Sequence, residues 1–188
     1  MQAENRPLKV CVTIPNEGHT GTEAYDNRLL FAFHLGKLEA QNPGKYEFYW
    51  ATCGRVLTPL ARERLSEWSL EGGADLILMI DDDMIIPHDM FERLHATMLE
   101  TGADVVAPLA FMRNAPHFPV IYRVTEGYDP LAHKPFFERH IVKNYPKDTV
   151  VECDAVGFGA ALINAAIFSK IKKPWFMSTT GAGEDVAL

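Results

Sequence analysis

Short apolar runs alternate with amphipathic stretches along the first hundred residues, and that alternation predicts the elements. Leu8 to Ile14 is rich in β-branched residues and ends at Pro15, which reads as a strand. A polar loop from Pro15 to Gly21 follows. Helical spacing then runs from Thr22, a residue suited to capping, to about Ala40, and Asn42-Pro43-Gly44 stops it. Tyr46 to Thr52 is aromatic and reads as a second strand. Thr58-Pro59 opens a second helix with threonine as cap and proline at the first position. Ala61, Leu65 and Trp68 share its apolar face, Arg62, Glu63, Arg64 and Glu67 fall on the others, and Gly72-Gly73 closes it.

Leu76 to Ile80 is five apolar residues in a row, and the run meets Asp81-Asp82-Asp83 directly. A short unbroken run of this kind reads as a strand buried on both faces. Extended through the aspartates, strand alternation would aim Asp81 and Asp83 to one side and Asp82 to the other. Asp89, with Glu92 three residues on, looks like the start of a capping box. Phe91, Leu94 and Met98 continue a third helix that Gly102 ends, and Ala103 to Leu109 reads as a further buried strand.

The pattern breaks at residue 110. Five prolines, many aromatics, and His117, His133 and His140 fall between residues 110 and 147 without helical spacing. Val120 to Val124 reads as a strand with Glu126-Gly127 as its turn, so residues 110–148 are expected to be loops and a short hairpin over the sheet's active edge. The histidines read as loop residues rather than ligands. Thr149 to Cys153 is a further strand candidate. Gly157 and Gly159 sit one residue apart in a small apolar stretch, which points to close approach by a ligand or another backbone. Asn164 is placed to cap a short helix to about Lys170.

Strand-helix alternation over the first 110 residues predicts an α/β fold, a mostly parallel sheet with helices on both faces. The length of 188 residues fits one domain, 1–188, with a polar flexible tail at 1–7. The net charge of −7 argues against a nucleic-acid binder. Three widely spaced cysteines, Cys11, Cys53 and Cys153, show no zinc spacing and read as reduced, mostly buried thiols in a cytoplasmic protein. No stretch has the length and apolarity of a transmembrane segment. Two carboxylates at the C-terminal end of a parallel strand form a hard-oxygen site suited to Mg²⁺ or Mn²⁺, at the edge where open α/β sheets hold ligands.

Asp81-Asp82-Asp83, Gly157-Phe158-Gly159, Pro174-Trp175-Phe176 and Gly183-Glu184-Asp185, in this order, resemble the GT-A-fold glycosyltransferases of the family 2 type. The resemblance covers about Leu8 to Leu188. It implies a nucleotide-sugar donor, UDP- or GDP-linked, a carbohydrate or other hydroxyl acceptor, and a divalent cation, Mn²⁺ or Mg²⁺. It implies that Asp83 holds the metal with Asp81 near it or the ribose, and that Asp82 lies in the donor site. Pro15, Asn16 and Glu17 would line the nucleotide, Arg62 and the glycines Gly157 and Gly159 would adjoin the donor, and Asp185, with Glu184 beside it, would be the base of an inverting transfer. Members commonly carry a histidine beyond the Glu-Asp motif that completes the metal shell. This chain stops three residues past Asp185, so the resemblance implies a C-terminally short member in which another group or water takes that place. Two other classes remain open: a non-catalytic nucleotide- or sugar-binding module, and a phosphatase of the haloacid dehalogenase type. The latter fits less well, since its aspartates normally end the first strand. A nucleotidyltransferase of related fold would need a Gly-rich signature after the first strand, which Asn16 to Gly21 does not supply.

Overall fold

A computed structural model describes residues 6–16, 18, 20–129 and 134–176. It divides into two compact units: residues up to Pro108 together with those from Phe158 on, and Leu109–Gly157. The first unit holds β1 (Leu8–Asn16), α1 (Thr22–Gln41), β2 (Tyr46–Gly54), α2 (Thr58–Glu71), β3 (Leu76–Ile80), α3 (Met90–Thr101), β4 (Val105–Val106), and, past the second unit, β8 (Ala160–Asn164) with a 3-10 helix, Ala165–Ser169. The second unit holds β5 (Ile121–Asp129), β6 (Lys134–Ile141) and β7 (Ala155–Val156).

The first unit is an α/β layer structure around a five-stranded sheet in the order β2-β1-β3-β8-β4. β1 pairs in parallel with β2 and β3, and β8 runs antiparallel to both β3 and β4. Four of the five strands therefore point one way, and β8 alone is reversed. The expected mostly parallel sheet is present, with one inverted strand that the chain inserts after its second unit.

β3 is buried along its whole length, as its unbroken apolar run predicts. Leu76, Leu78 and Ile80 join Val10, Val12, Phe31, Leu35, Phe91 and Leu94 in one core, so α1 and α3 cover that face. Ile77 and Met79 join Phe158, Ala161, Ile163, Phe168 and Phe176 on the other. Leu70 of α2 packs against this second cluster, and Ala61 and Leu65 pack on Cys53 of β2. His34 of α1 and Glu92 of α3 meet at 2.6 Å, which ties the two helices over the first core.

β2 is an edge strand, and α1 guards it. The Phe48 amide donates to Glu39 Oε2 at 3.1 Å. At the far end of α3, Gly102 takes a left-handed φ of 69°, a conformation a side chain rarely adopts, and stops the helix as expected.

Several elements differ from the sequence expectation. Thr22 and Thr58 are first helical residues rather than caps; Gly21 and Leu57 hold the cap positions. Asp89 is the cap of α3, but its carboxylate takes the Arg93 Nε–H at 2.8 Å instead of closing a capping box. Trp68 is 45% exposed and so does not join Ala61 and Leu65 on the buried face of α2. The strand expected over Ala103 to Leu109 shrinks to Val105–Val106. Glu126-Gly127 is not a turn but lies inside β5, pairing with Phe137 and Phe136. Thr149 to Cys153 forms no strand; pairing begins at Ala155 instead. In these stretches cross-strand pairing in the second unit overrode local composition. The cysteines follow the expectation: all three are free thiols, Cys11 and Cys53 buried and Cys153 half-buried.

Candidate functional site

The parallel register places the ends of β1, β2 and β3 on one edge of the sheet, with Asn16 opposite Gly54. That edge carries the acidic triplet. β3 stops at Ile80, and the Met84 amide donates to Asp81 O at 3.3 Å, so Asp81 to Met84 form a turn. Strand alternation therefore does not govern the aspartates, and the expected two-and-one arrangement gives way to a graded one. Asp81 is half-buried, Asp82 is buried at 8% exposure, and Asp83 is exposed. The Asp81 amide donates to Gly159 O at 2.9 Å, which extends the β3–β8 ladder by one rung and anchors the turn's first residue.

Arg62 was expected on a polar face of α2. It is wholly buried instead. One Nη donates to Asp81 Oδ1 at 2.8 Å and approaches Phe158 O at 3.4 Å, and the guanidinium lies 4.8 Å from the Phe158 ring centroid. A buried cation needs a paired anion, and Asp81 is one. The ring face supplies a further electrostatic contact. Arg62 thus fixes Asp81, and Asp83 is the exposed member of the triplet.

Three further contacts bind this edge together, and two of them carry no signal in one dimension. Asn27 of α1 grips the loop after the triplet: its Nδ2 donates to Ile86 O at 2.9 Å and its Oδ1 accepts from the Ile86 amide at 2.8 Å. Glu63, one residue past Arg62, accepts from the Trp175 and Phe176 amides at 2.8 and 3.2 Å. Lys173 pairs with Glu67 one turn farther along α2 and lies 4.5 Å from the Trp175 ring centroid. The aromatic loop singled out in the sequence is therefore docked on the helix that holds Asp81. Phe158 and Phe176 meet edge to face at 5.8 Å and close the circuit. Neither Asn27 nor Glu63 stands out in one dimension, because each is a helix polar residue whose partner is backbone 59 or more positions away.

The remaining predicted residues are placed as follows. Pro15 is buried within β1, opposite Cys53, and Asn16 ends the strand. Asn16 O accepts from the Arg55 amide at 3.3 Å, and a Cβ at Gly54 would come within 2.9 Å of that same oxygen. Gly159 is demanded by a side chain, since a Cβ there would meet Met84 Sδ at 2.9 Å. Gly157 belongs to the second unit, where a Cβ would lie 2.6 Å from Val120 Cγ2. The close approach expected at both glycines is made by neighbouring side chains. Glu17, Glu184 and Asp185 lie outside the described residues, as does His133.

Among the described residues no group of three or more His, Cys, Asp or Glu side chains converges as a ready-made metal cage. No described helix is long and apolar enough to cross a membrane. An open cleft of about 720 Å³ does exist, but it is lined by Asp75, Leu76, His95, Met98, Asn164 and Phe168. Those residues mark the N-terminal end of β3, opposite the acidic turn. Ligands of open α/β sheets gather at the other edge, so this cleft is not the candidate site.

No protein-family model and no curated protein matches the chain. Among solved structures it is similar to the crystal structure of A197 from STIV, at 21% identity and a TM-score of 0.58, over 94% of this chain and 74% of that one. It also aligns with a CMP:2-keto-3-deoxy-manno-octonic acid synthetase complexed with CTP, at 14% identity over 88% of this chain and 79% of that one, but with a TM-score of only 0.40. At such identities the first likeness speaks to fold, and the second overlap is too loose to carry an argument.

Proposed function

We propose that the chain is a GT-A-type glycosyltransferase that takes a sugar from a nucleotide diphosphate to an acceptor hydroxyl. The observation that carries this reading is the acidic turn at the C-terminal end of β3, with Asp81 held by the buried Arg62 and Asp83 turned outward. An exposed carboxylate beside a neutralised one, at the ligand edge of a parallel sheet, suits a phosphate-bearing ligand that brings its own cation.

The donor set fits such a cation. Mg²⁺ and Mn²⁺ sites of this kind use one or two carboxylates, with substrate phosphates and water completing the shell, so no three-residue cage is needed. Asp83 would hold the ion and Asp81 would stand beside it. When bound, the ion would offset the charge that builds on the departing diphosphate. The chain's own part is to hold the edge rigid. Arg62 pairs with Asp81 in a half-buried place, Asn27 fixes the loop that follows, and Glu63 docks the Trp175-Phe176 segment. Asn16 at the end of β1 would adjoin the nucleotide. The acceptor hydroxyl needs a carboxylate to take its proton as it attacks, and Asp185, with Glu184 beside it, is assigned that role from the sequence resemblance.

The test is thermal stabilisation by a panel of UDP- and GDP-sugars with and without Mn²⁺, followed by a turnover assay on the donor that binds. Stabilisation that needs both donor and metal, and that Asp83→Asn abolishes, supports the reading. Metal-dependent binding without sugar transfer or donor hydrolysis would reassign the chain as a binding module. Phosphate release from a simple phosphomonoester, with no response to nucleotide sugars, would overturn the proposal.

A further inference from the structure

Helix α1 is apolar on the side it turns away from the sheet. Ala24, Phe31 and Leu35 are its buried residues. On the far side Tyr25, Leu29, Leu30 and Phe33 are between 47% and 69% exposed. A helix that exposes several large apolar side chains opposite its buried face offers a second surface for contact.

The exposed side has an order of its own. Asp26, Leu30, Phe33 and Lys37 are spaced four, three and four residues apart, which is the spacing of a coiled-coil seam. At 100° per residue the four fall in a stripe about 60° wide, opposite the buried face. All four are exposed. The stripe reads acid, apolar, apolar, base, so it is complementary to its own reverse.

We propose that two copies of the chain pair through this stripe, with their α1 helices antiparallel about a twofold axis between Leu30 and Phe33. That symmetry sets Leu30 against the partner's Phe33, and Asp26 against the partner's Lys37, each contact occurring twice. A parallel pair would oppose Asp26 to itself and Lys37 to itself, and like charges in register disfavour it. A lipid surface suits the stripe poorly, because its polar flanks are not basic and the chain carries a net charge of −7. One helix per copy forms an interface at or below the low end of the range for stable complexes, about 1,200 Å², so the dimer is weak and concentration-dependent.

Sedimentation velocity from micromolar to near-millimolar protein tests this. The dimer fraction should rise with concentration, and Phe33→Glu should abolish it. Asp26→Lys and Lys37→Asp should each weaken it roughly tenfold, by turning two attractive pairs into repulsive ones. The double variant D26K/K37D should restore it, because the swap preserves the antiparallel match. Far-ultraviolet circular dichroism should be unchanged in all four variants, since the positions are exposed. A chain that stays monomeric throughout, or a dimer indifferent to Phe33→Glu, overturns the proposal. So does failure of the double variant to recover association. Co-sedimentation of a monomeric chain with anionic phosphatidylserine vesicles, lost in Phe33→Glu, would instead give the face to lipid and overturn it as well.

Discussion

The side chain of Asn27 closes a two-bond ring on the backbone of Ile86, giving and taking one hydrogen bond at 2.9 and 2.8 Å. α1 thereby holds the loop that leaves the acidic turn. Asn27→Ala breaks both bonds and leaves the Ile86 amide and carbonyl to find other partners, at a cost of about 2 kcal/mol. Urea denaturation measures that loss. Faster hydrogen exchange at the Ile86 amide, without a matching change in β1, would place the effect in the loop.

Asp81 and Asp83 are two residues apart but should respond to substitution in opposite ways. Asp81→Asn removes the charge that balances the wholly buried Arg62, and because Asp81 is itself a quarter exposed the cost falls below that of a fully buried pair, at about 2 kcal/mol. The melting temperature should fall by about 4–8 °C. Asp83→Asn, at an exposed position, should cost less than Asp81→Asn. Under the proposed function it should nonetheless remove metal-dependent donor binding. Equal thermal effects of the two variants would contradict this division of roles.

Glu63 accepts two backbone amides, so an acceptor oxygen matters more than a charge. Glu63→Gln should retain much of the contact, whereas Glu63→Ala should release the Trp175-Phe176 segment. Hydrogen exchange at those two amides separates the variants: close to wild type in the first, accelerated at least tenfold in the second, equivalent to about 1.4 kcal/mol of lost protection.

His95 predicts a pH dependence. Burial against Phe91, whose ring stacks at 5.5 Å, and then the nearby Lys45 hold its pKa below the usual 6.5. The unfolded chain takes up the proton first as the pH falls. Stability from the neutral ring is therefore complete above about pH 6.5 and is lost below it, down to the depressed folded value. His95→Gln should flatten the stability profile over that window, as read by melting temperatures from pH 7.5 to 5 in steps of about half a unit.

Gly36 lies inside α1, is exposed, and has nothing within 4 Å of where a Cβ would sit. Gly36→Ala should therefore stabilise the chain by about 0.5–1 kcal/mol, through a less mobile unfolded state and better helix propensity. A melting temperature that falls would reveal a contact at this position in the associated form.

How far the sequence carried the fold depended on how local each signal was. The apolar run Leu76 to Ile80, the helix stop at Gly102 and the cap at Asn164 are short-range signals, and each appears where its residues place it. The triplet was legible as an acidic end to a buried strand. Its geometry was not, because whether three aspartates continue a strand or turn depends on the β8 backbone that meets Asp81 at Gly159. Arg62 was misplaced for a similar reason. Helical spacing alone puts it on a polar face, and only its burial partners Asp81 and Phe158, 19 and 96 residues away, show that it points inward. Residues 121–141 offered prolines and aromatics but no periodicity, and the long β5–β6 hairpin there is defined by pairing across strands.

The contact of Glu39 with the Phe48 amide reaches beyond one hydrogen bond. β2 would otherwise offer its outer rim to any extended segment seeking a ladder to join, and a parallel rim nine residues long is an open invitation to stacking. The carboxylate occupies one of the donors such a newcomer would need and adds a negative charge where it would have to lie. Growth of the sheet sideways is thus discouraged by the same helix whose outer stripe is free to meet a sister molecule, and Glu39→Ala should trade orderly association for aggregation.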